Sequence, residues 1–191
     1  MKDPILRKNF LKEFGISPQK LVLANQVHSN IVKKVSNADC AKIIDHCDGL
    51  ITGDKNVYLG IFTADCMPII MVSKNGGVKA AVHAGWQGLK AQIIEQCIKI
   101  FNDDFGIKSD EIDAYIGPHI QKCCYEVSKD FEQIFNVKLE NNKLNLAQIA
   151  KEKMQNANIK NIVISPYCTK CADLFFSYRK DKTDARIITV V

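Results

Sequence analysis

The sequence predicts an α+β fold of mixed α/β layers, in which a largely buried mixed sheet is flanked by helices. Three observations predict it. Several short β-rich runs are continuously apolar, as in strands buried on both faces. Other stretches repeat apolar residues at helical spacing. The two kinds of segment alternate irregularly, with no internal repeat.

Taken in order, residues 3 to 14 carry Ile5, Leu6, Phe10, Leu11 and Phe14 on one helical face, and Gly15 ends that helix. Leu21 to Val27 reads as a strand and Ile31 to Val35 as a shorter one. Leu50-Ile51-Thr52 follows the turn-like Asp48-Gly49. Val57 to Thr63, Ile69 to Val72 and Val78 to Val82 are three buried strands. Gly85 to Phe101 is helical, with Leu89, Ile93, Ile94, Cys97, Ile98 and Phe101 on one face. Ile112 to Ile116 is a strand ending at Gly117-Pro118, and Ser128 to Phe135 is a helix. Asn145 and Gln148 form a capping pair that opens a helix through about Gln155. Ile159 to Ser165 and Arg186 to Val191 complete the set of strands.

The Asn75-Gly76 pair between two apolar runs signals a hairpin. A two-residue turn there makes paired residue numbers sum to 151. His83 then faces Pro68, and Cys66 lies diagonal to His83, about 7 to 8 Å away along the backbone and within reach of longer side chains. Pro68 cannot donate to the ladder and is a place where it can bend.

The chain has 191 residues, 47% of them hydrophobic and 25% charged, which suits one domain over residues 1–191 with its own core. The net charge of +5 comes from scattered Lys and Arg, with no basic stripe or arm interleaved with aromatics, so no nucleic-acid partner is expected. An anionic small substrate fits that charge. The longest apolar stretch, Val57 to Val72, is interrupted by Asp65 and Pro68 and falls short of the ~18–20 residues of a membrane span. The N-terminus shows no signal-peptide core. A cytoplasmic location with reduced thiols is therefore expected for the eight cysteines.

A Cys and a His brought together at strand ends can bind a metal or act as nucleophile and base; a structural Cys beside a satisfied His is the plain alternative. Three segments single out such residues: Asn25-Gln26-Val27-His28-Ser29, Thr63-Ala64-Asp65-Cys66-Met67-Pro68 and Val82-His83-Ala84-Gly85-Trp86-Gln87-Gly88. Glycines beside the only Trp allow close backbone approach to a ligand, and the indole offers a stacking face.

These segments resemble the laccase-domain family, also called the multicopper polyphenol oxidase or purine nucleoside phosphorylase family. Further matches are Asp48-Gly49-Leu50-Ile51-Thr52, Ile116-Gly117-Pro118, Cys124-Tyr125-Glu126-Val127, Cys168-Thr169 and Ser177-Tyr178-Arg179. They come in family order over residues 18 to about 188. The resemblance implies a zinc site formed by His28, Cys66 and His83, which would also be the catalytic residues. It implies action on purine nucleosides: phosphorolysis of adenosine, inosine or methylthioadenosine with phosphate, deamination of adenosine with water, or both. A role in cell-wall precursor editing has also been proposed for some bacterial members. A multicopper centre would need more His ligands than the four in this chain, so copper fits less well than zinc. The family's fold is similar to that of cytotoxic necrotizing factor type cysteine hydrolases.

The chain departs from the family pattern in places. The resemblance leads us to expect a domain without the family's usual N-terminal extension and its Arg-Gly-Gly element. Gln87 stands where an Arg is common after the Trp, and Ala185-Arg186 replaces Gly-Arg. Trp86, Arg179 and His119 are the expected substrate-binding residues: a stacking face, an anion contact and a strand-end imidazole. Asp65 either orients a ligand or caps a turn. His46 and Cys47 lie in a loop with no assigned role. Cys168-Thr169-Lys170-Cys171 is a C-x-x-C that could join Cys123-Cys124 around a structural zinc, but adjacent cysteines rarely chelate one metal well, so plain thiols are expected there. Two rival functions remain. A metal-free hydrolase or deamidase would use Cys66 and His83, and a non-catalytic protein would bind metal for interaction alone.

Overall fold

The computed structural model describes residues 11–191. The helix expected over residues 3 to 14 lies mostly outside them, although residues 11–13 are helical and Leu11 is buried. The chain then runs β1 (Leu21–Ala24), β2 (Val32–Lys34), β3 (Ile43–Ile44), β4 (Gly49–Thr52), β5 (Tyr58–Thr63), β6 (Met67–Ser73) and β7 (Lys79–Ala84). It continues with α1 (Trp86–Lys90), α2 (Ile93–Phe105), β8 (Ile112–Ile116), α3 (Asp130–Phe135), α4 (Leu146–Asn156), β9 (Asn161–Ile164), α5 (Tyr178–Asp181) and β10 (Ile187–Val190).

The α+β reading with mixed strand pairing holds, and the strands divide into two sheets. One has the order β10-β5-β1-β3 and the other β2-β4-β7-β6-β8-β9. Both mix parallel and antiparallel neighbours. The sheets pack face to face through Val22, Ala24, Leu59 and Ile61 on one side and Leu50 and Ala81 on the other. The opposite face of the larger sheet, with Ile69, Met71, Ala80 and Val82, is covered by Ile94, Cys97 and Phe101 of α2 and Ala150 and Met154 of α4. Alternate residues of β4 and β7 therefore meet different cores, which is why these strands are apolar without a period of two.

The β6–β7 register is the one expected from the sequence: Pro68 pairs with His83 and Ile69 with Val82. The turn is longer than two residues. Gly76 donates its N–H to the Ser73 carbonyl at 2.7 Å with φ of +68°, and the Ser73 N–H closes on the Val78 carbonyl at 2.9 Å. Adding one residue to each arm leaves the sum of paired numbers unchanged.

Pro68 has no N–H to give β8, and the Gly117 carbonyl opposite it is met by His119 Nδ1 at 2.8 Å instead. The Pro68 carbonyl accepts the Gly117 N–H at 2.8 Å, and a Cβ on Gly117 would come within 2.9 Å of Pro68 Cγ. The Ile-Gly-Pro motif thus keeps β8 close to the proline.

The single helix expected over residues 85 to 101 is two helices. Gln92 adopts a left-handed φ of +68° between them, and Asn30 Nδ2 takes the Ala91 carbonyl at 2.8 Å. The Asn145 cap is as expected, its side chain accepting the Gln148 N–H at 3.1 Å. Among the described residues, no helix is long and apolar enough to cross a membrane.

Candidate metal centre

At one end of the larger sheet, His28, Cys66 and His83 converge, with their ligand atoms within 4.8 Å of one another. Each arrives by a different route. His83 is on β7, the strand paired with β6. Cys66 immediately precedes β6 and follows Asp65, whose φ of +88° turns the chain sharply between β5 and β6. His28 lies in the loop after β1, also at a left-handed φ, +61°.

Asp48 organises this arrangement. It is fully buried at the start of β4. One carboxylate oxygen accepts the His28 N–H at 3.0 Å, and the other accepts those of Val27 and Ser29 at 3.1 and 2.7 Å. The Ser29 hydroxyl donates to Asp48 at 2.8 Å. Three successive backbone N–H groups on one carboxylate hold the His28 loop in its unusual backbone conformation. Asp48 Oδ1 also lies 2.8 Å from His83 Nδ1. That leaves Nε2 of His83 to face Cys66, the outer-carboxylate arrangement that orients a ligating imidazole.

Glycine is required where these elements touch. A Cβ on Gly85 would lie 3.1 Å from Cys66 Sγ and 3.4 Å from His28 Cδ2. Gln26 extends the pairing of β1 with β5 through its side chain: Nε2 donates to the Phe62 carbonyl and Oε1 accepts the Phe62 N–H, both at 2.7 Å. The Gln-Val-His segment is thus clamped on both sides of its histidine.

The electrostatics follow. Burial pushes the Cys66 thiol up, but hydrogen bonds from His28 and His83 outweigh it and bring the thiol down to about 6. Burial alone would disfavour charge on His83; Asp48 and the Cys66 thiolate overcome it and raise the imidazole to about 9. Burial likewise works against the Asp48 carboxylate, but His83 and Ser29 bring it down to about 2. These directions favour a thiolate beside an imidazolium, with the Asp48 carboxylate supporting the imidazolium.

This donor set suits zinc. Two imidazoles and a thiolate are ordinary zinc ligands, and small inward shifts close their spacing to bonds of ~2.0–2.3 Å. Three protein ligands leave a fourth position open.

Trp86 and Arg179 come together in one cavity of about 490 Å³, walled also by Tyr125, Phe131 and Asn142. Trp86 meets Phe131 edge-on at 5.2 Å. The Arg179 guanidinium sits 5.3 Å over the Tyr125 ring, and its Nη1 donates to the Glu126 carbonyl at 2.8 Å. Trp86 follows Gly85, which packs against Cys66 and His28, and Tyr125 feels the charge of Cys66. Burial, then the charges of Cys66 and Asp65 working against Arg179, push its hydroxyl up to about 12.

His119 is not among the residues lining that cavity. It is buried, its Nδ1 meets the Gly117 carbonyl at 2.8 Å, and burial lowers its pKa. It serves the backbone, which explains its place after Gly117-Pro118. Asp65 accepts from Thr169 Oγ1 and the Arg179 N–H, both at 2.7 Å, so it ties the C-terminal segment to the site and contacts no candidate ligand. Cys47 and Cys97 are buried thiols pushed up by desolvation, to about 11 and 12. The sequence assigns no site role to Asp48. Its signal there is the segment Asp48-Gly49-Leu50-Ile51-Thr52, which matches the family pattern and opens a buried run.

The family model described as multi-copper polyphenol oxidoreductase laccase matches residues 6–191. Curated relatives include a protein named purine nucleoside phosphorylase from Aquifex aeolicus, 38% identical over 91% of this chain and 82% of its own length. Another of that name, from Clostridium acetobutylicum, is 35% identical over 84% of this chain and 71% of its own. The crystal structure of the Bacillus licheniformis hypothetical protein YfiH superposes with a TM-score of 0.90 at 26% identity, covering 96% of this chain and 78% of that one.

Proposed function

We propose that this chain, which belongs to the multi-copper polyphenol oxidoreductase laccase family, is a zinc-dependent purine nucleoside phosphorylase of the cytoplasm. The observation that carries this reading is the convergence of His28, Cys66 and His83, with Trp86, three residues beyond His83, on the wall of an aromatic cavity. Relatives named purine nucleoside phosphorylase supply the substrate class. The four histidines of the sequence are too few for a multicopper centre, and only two of them join the cluster.

A zinc ion held by His28, Cys66 and His83 would supply Lewis acidity and an open position for water or a substrate oxygen. The protein's own groups do the rest. Asp48 keeps His83 in one tautomer. Trp86, Tyr125 and Phe131 give a purine flat surfaces on which to stack. Arg179 commits one of its five N–H donors to Glu126, leaving others for a phosphate oxygen. In phosphorolysis, a phosphate oxygen bonds to ribose C1′ as the C1′–N9 bond breaks, and the purine leaves with the electron pair and takes up a proton.

The test is turnover of adenosine, inosine and methylthioadenosine with and without phosphate, with products separated by chromatography. Phosphate-dependent release of the free base is the expected result. Inosine formed from adenosine without phosphate would replace phosphorolysis with deamination. Absence of turnover on all three nucleosides by zinc-loaded protein would overturn the reading.

One observation favours a second reading. Cys66, His83 and Asp48 stand in the order of a thiolate–imidazole–carboxylate triad. Such a triad does not need His28. Zinc that is lost in His28→Ala excludes a metal-free triad.

Zinc uptake should also release protons. Cys66 is brought down to about 6 and His83 raised to about 9, so zinc binding near pH 7.5 is expected to displace the His83 proton. Below pH 6 Cys66 also carries its proton, so affinity should weaken further. Calorimetry in buffers of different ionisation enthalpy checks both. Binding without proton release at pH 7.5 would contradict the charge pairing described.

A further inference from the structure

We propose a second, structural zinc site made by Cys123, Cys124, Cys168 and Cys171. The four sulfurs lie within 4.8 Å of one another, in a group separate from the His28, Cys66 and His83 cluster. They come from two loops. Cys123 and Cys124 sit in the turn that follows Gly117-Pro118, and Cys168 and Cys171 in the loop after β9.

Three features point to a metal. The first is spacing: sulfurs ~2.3 Å from a tetrahedral zinc are about 3.8 Å apart. Cys123 Sγ and Cys171 Sγ are 3.8 Å apart, well beyond the ~2.05 Å of a disulfide bond. The second is the shell around the sulfurs. The backbone N–H of Gln121 donates to Cys168 Sγ at 3.5 Å. Amides turned toward a sulfur stabilise it as a thiolate ligand. The third is preorganisation. The Thr169 N–H bonds the His119 carbonyl at 3.0 Å, and Gln121 Nε2 bonds the Ser165 carbonyl at 3.0 Å, so the loops are already joined.

Adjacent cysteines are a poor chelate by themselves, and for that reason the sequence favours plain thiols at this position. Here the C-x-x-C of the other loop provides a well-shaped half-site, and the 122–124 turn brings both neighbours to it. A set of four thiolates has no open position, which makes the site structural. Cys123 and Cys171 are exposed, so an ion can enter. Its place has a consequence. Cys124 precedes the cavity wall residue Tyr125, and Cys171 begins the segment leading to Arg179. A metal there pins both sides of the cavity.

The experiment compares zinc content of wild type, Cys66→Ala, Cys171→Ser and the double variant, purified under reducing conditions without chelator. Expected values are two, one, one and no zinc per chain. Cobalt loaded into Cys66→Ala should show tetrahedral visible bands and strong sulfur-to-cobalt charge transfer, both lost on adding Cys171→Ser. Cys123→Ser repeats the test at a second exposed position should Cys171→Ser misfold by circular dichroism. Cys66→Ala protein that holds no zinc and gives no cobalt–thiolate bands overturns the site. So do disulfides among these four cysteines in freshly purified protein.

Discussion

Cys66→Ala lowers nucleoside turnover by more than about 100-fold and removes the ion from the histidine cluster. Cys66 is the only sulfur in that cluster, and its thiolate meets both imidazoles. Loss of a carboxylate that merely orients a ligand already costs about 10–100-fold in affinity or activity, so loss of a ligand should exceed that range. The fold should survive, because the strands on either side are set by pairings that do not involve the thiol. β6 is held by β7 and β8, and Asp65 is held by Thr169 and Arg179. Steady-state kinetics with a thermal melt on the same preparation is the check. Retention of wild-type turnover with a normal melt would remove Cys66 from the chemistry.

Asp48→Ala has the largest expected effect on stability. Its carboxylate accepts from Val27, His28 and Ser29 and meets His83 Nδ1, all at a fully buried position. Removing one partner of a buried, hydrogen-bonded charge pair costs about 3–5 kcal/mol. In a chain of this size that lowers Tm by roughly 6–20 °C. Asp48→Asn separates the two roles. It preserves shape but puts an amide N–H₂ against groups that are themselves donors, so metal affinity should fall about 10–100-fold. The acid limb of stability changes too. The Asp48 carboxyl is held at about 2 in the folded protein, below its ordinary 3.8. Its contribution is therefore present above about pH 4 and lost as the pH falls toward 2. Denaturant melts of both variants at pH 7 and pH 3 measure this. A destabilisation that is equal at both pH values would contradict the assigned role.

The sequence and the structure agree most closely where information is local. The Cys66–His83 diagonal follows from hairpin parity alone, which a longer turn does not alter. The Asn145 cap is likewise set by residues three apart. The division into two sheets was not visible, because β10 pairs with β5 and β1 with β3 across long stretches of chain. The two residues of β3 are too few to show a pattern. The helix break at Gln92 depends on Asn30, distant in sequence. Asp48 escaped for a related reason: its partners lie 19 to 35 residues away. The four-cysteine cluster ran against a local rule about neighbouring cysteines, and only the meeting of two distant loops reverses it.

The most direct test strips the protein with a chelator, then adds zinc stepwise while following phosphate-dependent release of base from a nucleoside. Loss of turnover on stripping and its return with zinc, in wild type but not in Cys66→Ala, is the expected result. Full turnover by the stripped protein would contradict a metal centre at His28, Cys66 and His83 and would favour the Cys66–His83–Asp48 triad.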